Sequence, residues 1–255
     1  MLEVFRANTR LVSIEMRRYL PNTISMVVTF YAVFLVFFLG ITVVGSPETA
    51  AADTKYLIVS VVLWFLALVA MQSIGFVITT EATRGTLEQL YMSPVPTRWI
   101  LLARMTGTIL VHLVVIATML GLAMLTARQA LAFDIATLTP LLALTITGMI
   151  GVGFMVASLA LLFKQVQSLL QVGQFLLMAL VAVPISQSPL LELAPAVRGT
   201  SMLRDAMTLG ASWADFGLLA WVLLAINSAA FLALGLLVYA WAERRALRLG
   251  LLGQY

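Results

Sequence analysis

Long apolar runs separated by short polar islands dominate the chain. Six runs stand out, at residues 22–45, 56–80, 99–126, 138–163, 168–186 and 216–241. Crossing the ~30 Å hydrocarbon core of a bilayer takes about 20 residues at 1.5 Å each, and every run approaches or exceeds that length. The pattern predicts an all-α integral membrane protein with six transmembrane helices, the fifth being the shortest. The first run precedes Thr49-Ala-Ala-Ala-Asp53, whose small residues resemble a signal-peptidase site. A secretory signal has an apolar core of only about 7–15 residues, so the first run is read as a retained helix.

Two segments outside the runs have patterns of their own. Residues 1–21 predict an interfacial amphipathic helix, ahead of a membrane domain at 22–255. Leu2, Phe5, Val12, Met16 and Tyr19 share one face, and Arg6, Arg10 and Arg17 form a neighbouring stripe. Such a helix lies in the headgroup layer with its arginines on anionic lipid. Val4, Leu11 and Ile14 fall elsewhere and are expected to pack on protein, and Pro21 marks the turn into the first span. The connection at 187–215 contains Pro189, Pro195, Gly199 and Gly210, yet carries apolar stretches such as Leu190-Leu-Glu-Leu193. A simple loop would be more polar. Short helices entering the outer leaflet, shielded by protein, are expected there.

The polar island at 81–98 is the most specific part of the chain. Gly85 suits the left-handed conformation that ends a helix. Thr86 and Gln89 have capping-box spacing. Leu87, Leu90 and Tyr91 share a face, and Pro94 and Pro96 terminate this short helix. A short capped helix at a membrane surface has little to bury itself against, which points to a docking element for a soluble partner.

Composition agrees with the membrane assignment. Hydrophobic residues make up 62% and charged residues 10%, with a mean hydropathy of +1.05; soluble domains carry about 25% charge. With the N-terminus inside, eleven basic residues fall on inner segments and four on outer ones. Both termini and the 81–98 island are therefore expected on the cytoplasmic side. This asymmetry accounts for the basic balance without nucleic acid.

Several chemistries are excluded. No G-x-x-x-x-G-K-[ST] pattern surrounds Lys55 or Lys164, so the chain has no P-loop of its own. One histidine, His112, and no cysteine leave no expected metal site, thiol nucleophile or catalytic residue. Charges are nearly absent from the interiors of the runs, which weakens ion-coupled transport. Arg104 is expected to snorkel to the headgroups and His112 to be hydrogen-bonded within the protein. Arg204 and Asp205 pair with each other or form part of an outer gate.

Two polar stripes remain. Gln167, Gln171, Gln174 and Met178 recur at helical spacing on the fifth run. Trp64, Met71 and Gln72 share a face on the second. They either line a substrate path, where amides hold polar heads and Met and Trp adapt to apolar bodies, or join helices by hydrogen bonds. Asn227 and Ser228 read as such helix–helix contacts, and Tyr239 and Trp241 as interfacial belt residues.

The segment Glu81…Arg84-Gly-Thr-Leu-Glu-Gln-Leu90…Ser93-Pro-Val-Pro-Thr-Arg98 resembles the cytoplasmic loop of type-2 ATP-binding-cassette (ABC) exporter permeases. In that family a G-T-L-E-x-L…S-P-V pattern sits between the second and third spans. The resemblance implies a homodimer of permease subunits bound to two separate ABC ATPase subunits, which would hold ATP and magnesium. Residues 86–93 would be the coupling helix, with Arg84, Gly85, Thr86, Leu87, Glu88, Leu90, Tyr91, Ser93 and Pro94 as ATPase-coupling residues. The lead helix would also touch the ATPase. The second and fifth spans would face the pathway, which favours the path reading of both stripes, and 187–215 would hold re-entrant helices. Relatives have a proline just before the Met202-Leu-Arg204 position; here Thr200 and Ser201 stand there. The implied function is ATP-driven export of a drug-like or lipidic amphiphile by alternating access, from a bacterial or archaeal plasma membrane. A lipid-linked polysaccharide exporter and an ATP-independent carrier are the alternatives.

Overall fold

The structure, a computed structural model, describes Ile14 and residues 20–45, 49–163, 166–182 and 189–250. The interfacial helix expected at 1–21 lies outside the described residues apart from Ile14, Leu20 and Pro21. In chain order the elements are α1 (Leu20–Val44), α2 (Ala50–Thr83), α3 (Leu87–Tyr91), α4 (Thr97–Ala127), α5 (Ile135–Phe163), α6 (Gln167–Ala182), the 3-10 helix η1 (Pro189–Leu193), α7 (Val197–Leu209) and α8 (Gly217–Arg248). No strand occurs among the described residues.

Five helices, α1, α2, α4, α5 and α8, are long and apolar enough to cross a membrane. The fifth predicted span is shorter than the other five. α6 has 16 residues, about 24 Å at 1.5 Å each against a ~30 Å core. The predicted run continued to 186, and residues 183–188 lie outside the described set. Pro21 falls inside the first turn of α1, where its missing N–H removes no helical bond. Asp134 caps α5, accepting hydrogen bonds from the Ala136 N–H at 3.1 Å and the Thr137 hydroxyl at 2.5 Å.

α2 is the central helix, with α1, α4, α5, α6 and α7 packed around it. It is apolar on all sides, and every residue from Ile58 to Leu68 is buried. An all-round apolar helix belongs in a core or a bilayer; α2 is surrounded by its own chain, whereas among the residues of α1 whose burial is described only Phe34 is buried.

Small residues set the closest approaches. A methyl group at Gly151 of α5 would run into the Phe231 carbonyl of α8, and one at Gly235 into the Gly151 carbonyl. At Gly153 it would stand 2.8 Å from the Ala70 carbonyl of α2. At Gly199 of α7 it would run into the Thr145 side chain of α5. Such close backbone contact is how membrane helices gain dispersion energy where lipid offers no hydrophobic advantage. η1 and α7 are both too short to span, and α7 packs on α5 and α2. The short helices expected at 187–215 are thus present within the described part, 189–215.

Candidate functional site

The corner between α2 and α4 is built by a specific helix stop. Gly85 has φ +68°. The Thr86 N–H reaches the Glu81 carbonyl and the Gly85 N–H reaches the Ala82 carbonyl, both at 2.9 Å. This crossed pair is a Schellman motif, which needs a left-handed residue where Gly85 stands. The next helix, α3, is five residues long, Leu87–Tyr91, shorter than the expected 86–93.

Three details differ from the expectation set by the sequence. The Thr86–Gln89 capping box does not form, and Thr86 makes no side-chain cap bond to its own helix. Its hydroxyl instead donates to the Glu81 carboxylate at 2.6 Å. That carboxylate also accepts from Arg104 at 3.1 Å. A charged acceptor reached by the Schellman turn outcompetes a local amide cap. Arg104 accordingly pairs with Glu81 rather than extending to headgroups. The face of Leu87, Leu90 and Tyr91 also turns inward. Leu87 is 1% exposed, Leu90 and Tyr91 are half-buried, and the Tyr91 and Tyr239 hydroxyls lie 2.8 Å apart. The chain's own helices supply the apolar seat that the sequence pattern alone did not predict. Arg84, Gly85, Glu88, Gln89, Met92 and Pro94 face outward, and Ser93 is half-buried, its hydroxyl accepting from the Val95 N–H at 3.3 Å.

Two cavities follow successive lengths of α2. One, of about 370 Å³, lies between α1, α2 and α6 towards the α1–α2 turn; Asp53, Tyr56, Ser60, Trp64 and Met178 line it among apolar neighbours. The other, of about 490 Å³, lies nearer the α3 corner and is more polar. Gln72, Ser73, Arg104, Thr108, His112 and Gln174 line it, with Met26 and Phe30 of α1. Trp64 stands between them: its indole N–H donates to the Gln174 carbonyl at 3.2 Å, and Phe30 meets its ring edge-on at 5.4 Å. The Nδ1 of His112 lies 2.8 Å from the Thr108 carbonyl, the internal partner expected of it.

The structure therefore brings together part of each polar stripe. Trp64, Gln72, Gln174 and Met178 reach the cavities. Met71 is buried against Gly173 and lines neither. Gln167 and Gln171 are exposed, while Leu170 between them is buried, so the inward face of the first turns of α6 is the leucine face and not the glutamine one. Sequence reasoning did not place Arg104 and His112 on a cavity wall. Their signal was available, since each is an ionisable side chain within an apolar run.

At the far end, Arg204 of α7 is 3% exposed. It donates to the Tyr56 hydroxyl at 2.5 Å and to the Val181 carbonyl, and its guanidinium lies 4.0 Å from the centre of the Tyr56 ring. Tyr56 in turn donates to the Ala182 carbonyl at 3.0 Å. Arg204 thus turns to α2 and the end of α6 instead of pairing with Asp205. Burial pushes the Asp205 carboxyl above its usual range, against the pull of the Arg204 charge.

A family model described as "ABC-2 family transporter protein" matches residues 47–237. The chain belongs to the ABC-2 transporter family. The match covers three quarters of this ABC-2 permease, from before α2 into α8, and so contains the α3 corner, most of both cavity walls and the Arg204 contacts. α1, which closes both cavities through Phe30 and Phe37, lies outside it. No curated protein matches the sequence.

Proposed function

We propose that this permease is the membrane subunit of an ABC exporter, driven by separate ATPase subunits that hold ATP and magnesium and seat on α3. One observation carries the reading. α3 is fixed to the membrane helices on one side and open on the other. Leu87 buries it, the Glu81–Thr86 bond ties it to α2, and Tyr91–Tyr239 ties it to α8. Its outward face presents Glu88, Gln89 and Met92, the last 75% exposed. A part held this way transmits displacement to α2 and α8, while ATP binding supplies the difference in free energy between two states.

In this reading the α3 corner and both termini are cytoplasmic, α6 completes a sixth crossing, η1 and α7 are re-entrant, and two copies pair in a bacterial or archaeal plasma membrane. The cargo is an amphiphile. The polar cavity with Gln72 and Gln174 receives its head, and the apolar cavity beyond Trp64 receives its body. The discriminating experiment replaces the outward face, not the seated one: Glu88→Arg with Met92→Asp, in tagged protein purified from native membranes. Loss of a co-purifying P-loop ATPase with unchanged chain stability is the expected result. An ATPase retained by the double variant, or absent from both preparations of folded protein, would rule out docking through α3.

A further inference from the structure

A third cavity lies on a different side of the molecule, between α4, α5 and α8, with a volume of about 410 Å³. Neither transport cavity shares a residue with it. Its walls are apolar, formed by Leu102, Ile150, Leu232 and Leu236. Its mouth, at the α3 end, carries two opposite charges, Arg98 at the start of α4 and Glu243 near the end of α8. Arg98 lies near enough for its charge to act on the Glu243 carboxyl, as does Arg244 beside it. Yet neither Arg98 nor Glu243 forms a contact ion pair or a side-chain hydrogen bond among the described residues.

An exposed ion pair gains little by closing, so both charges are free to meet a ligand that carries both signs. Here they stand apart at the rim, one cation and one anion above a hydrocarbon-lined slot. We propose that the slot is a binding site for a phospholipid with a primary-ammonium head, phosphatidylethanolamine, whose phosphate meets Arg98, whose ammonium meets Glu243, and whose acyl chain lies along Leu102, Ile150, Leu232 and Leu236. An anionic lipid would satisfy Arg98 and leave Glu243 facing a negative head. A choline head would bring Glu243 a charge with no N–H to donate. Trp99, 39% exposed on the same wall, suits the headgroup level. Tyr239 also lines the slot and holds Tyr91 of α3. A lipid seated there therefore touches the anchor of the corner helix. The site does not depend on what α3 docks.

The test measures retained lipid. The full chain, reconstituted in nanodiscs of phosphatidylethanolamine, phosphatidylcholine and phosphatidylglycerol in equal parts, is extracted into mild detergent, and the lipid still bound is quantified by mass spectrometry. The wild type is expected to enrich phosphatidylethanolamine about two- to fivefold over each competitor, the size of one interfacial ammonium–carboxylate contact. Glu243→Gln should return the ratio to that of the nanodisc. Leu236→Trp, which fills the slot, should lower the retained lipid itself while the protein stays monodisperse. A wild type that retains the three lipids equally or prefers phosphatidylglycerol would overturn the proposal. So would enrichment that survives both Glu243→Gln and Leu236→Trp.

Discussion

Replacing Arg204 by methionine tests whether a buried guanidinium holds the far end of the molecule together. Arg204 makes two hydrogen bonds, to the Tyr56 hydroxyl and the Val181 carbonyl, and stacks over the Tyr56 ring. Hydrogen bonds to charged groups contribute about 1.5–3 kcal/mol each, and a desolvated cation–π contact adds about 0.5–2 kcal/mol. Against this stand the cost of burying the charge, several kcal/mol, and an Nε with no partner among the described residues, about 1–3 kcal/mol. These terms nearly cancel. The balance is decided by what the substitution leaves behind. In Arg204→Met the Val181 carbonyl of α6 loses the donor that the guanidinium gives it. Leaving it unpaired costs about 1–3 kcal/mol, so Arg204→Met is expected to destabilise by about that amount. At roughly 2–4 °C per kcal/mol for a chain of this size, Tm in detergent should fall by about 2–12 °C. Tyr56→Phe keeps the ring and removes the hydroxyl that also serves Ala182; a double-mutant cycle should show coupling of about 1–2 kcal/mol. The absence of native cysteine allows a single cysteine at Ala182 to report locally, and its thiol labelling should quicken in Arg204→Met. A variant as stable as the wild type with unchanged labelling would mean that desolvation cancels the clamp.

Gly85→Ala forces an L side chain to φ +68°; it should cost about 1–2 kcal/mol, read as a lower Tm, with Gly85→Asn milder. Gly151→Ala should abolish a monodisperse fold by size-exclusion chromatography, because its methyl meets the Phe231 carbonyl. Gly121→Ala, with open space around the new methyl, should instead stabilise by about 0.5–1 kcal/mol. Tyr239→Phe removes the bond to Tyr91 and should lower stability by about 1 kcal/mol, while ATPase co-purification is retained and its stimulation weakened. Asp205 has a folded pKa raised by burial, so its contribution favours the fold below the unfolded value near 3.9 and is lost as pH rises through the folded one. Asp205→Asn should therefore raise Tm at pH 7, with the gain shrinking as pH is lowered towards the carboxylate range. A gain constant across that range would remove Asp205 as its source.

The long helices were legible because apolar length is a one-dimensional signal, and Gly85 because only a left-handed stop explains it between two such runs. The seat of α3 was not legible. Its apolar face was visible, but whether Leu87 meets a partner or its own chain depends on α8 passing close enough for Tyr239 to reach Tyr91, a contact across 148 positions. The glutamine stripe was misleading as a unit, since Gln174 reaches a cavity while Gln167 and Gln171 are exposed beside the buried Leu170. For Arg204 the sequence left open pairing with its neighbour Asp205 or a part in an outer gate. Adjacent helical residues point in different directions, and the partners were instead Tyr56 and a helix end, invisible without the fold.

α2 runs unbroken for 34 residues, from beside the Arg204 clamp to the Gly85 stop. At 1.5 Å per residue that is a rod of about 51 Å, longer than the bilayer core is thick. A tilt of only about 5° about its crossings with α5 moves the Ala50 end, about 33 Å away, by about 3 Å, the diameter of a water molecule. Under the proposed export cycle, a passage beside this helix would need no hinge within the membrane. The leverage lies in its length, and the two glycine-marked crossings with α5, at Gly153 and Gly75, are the natural fulcrum.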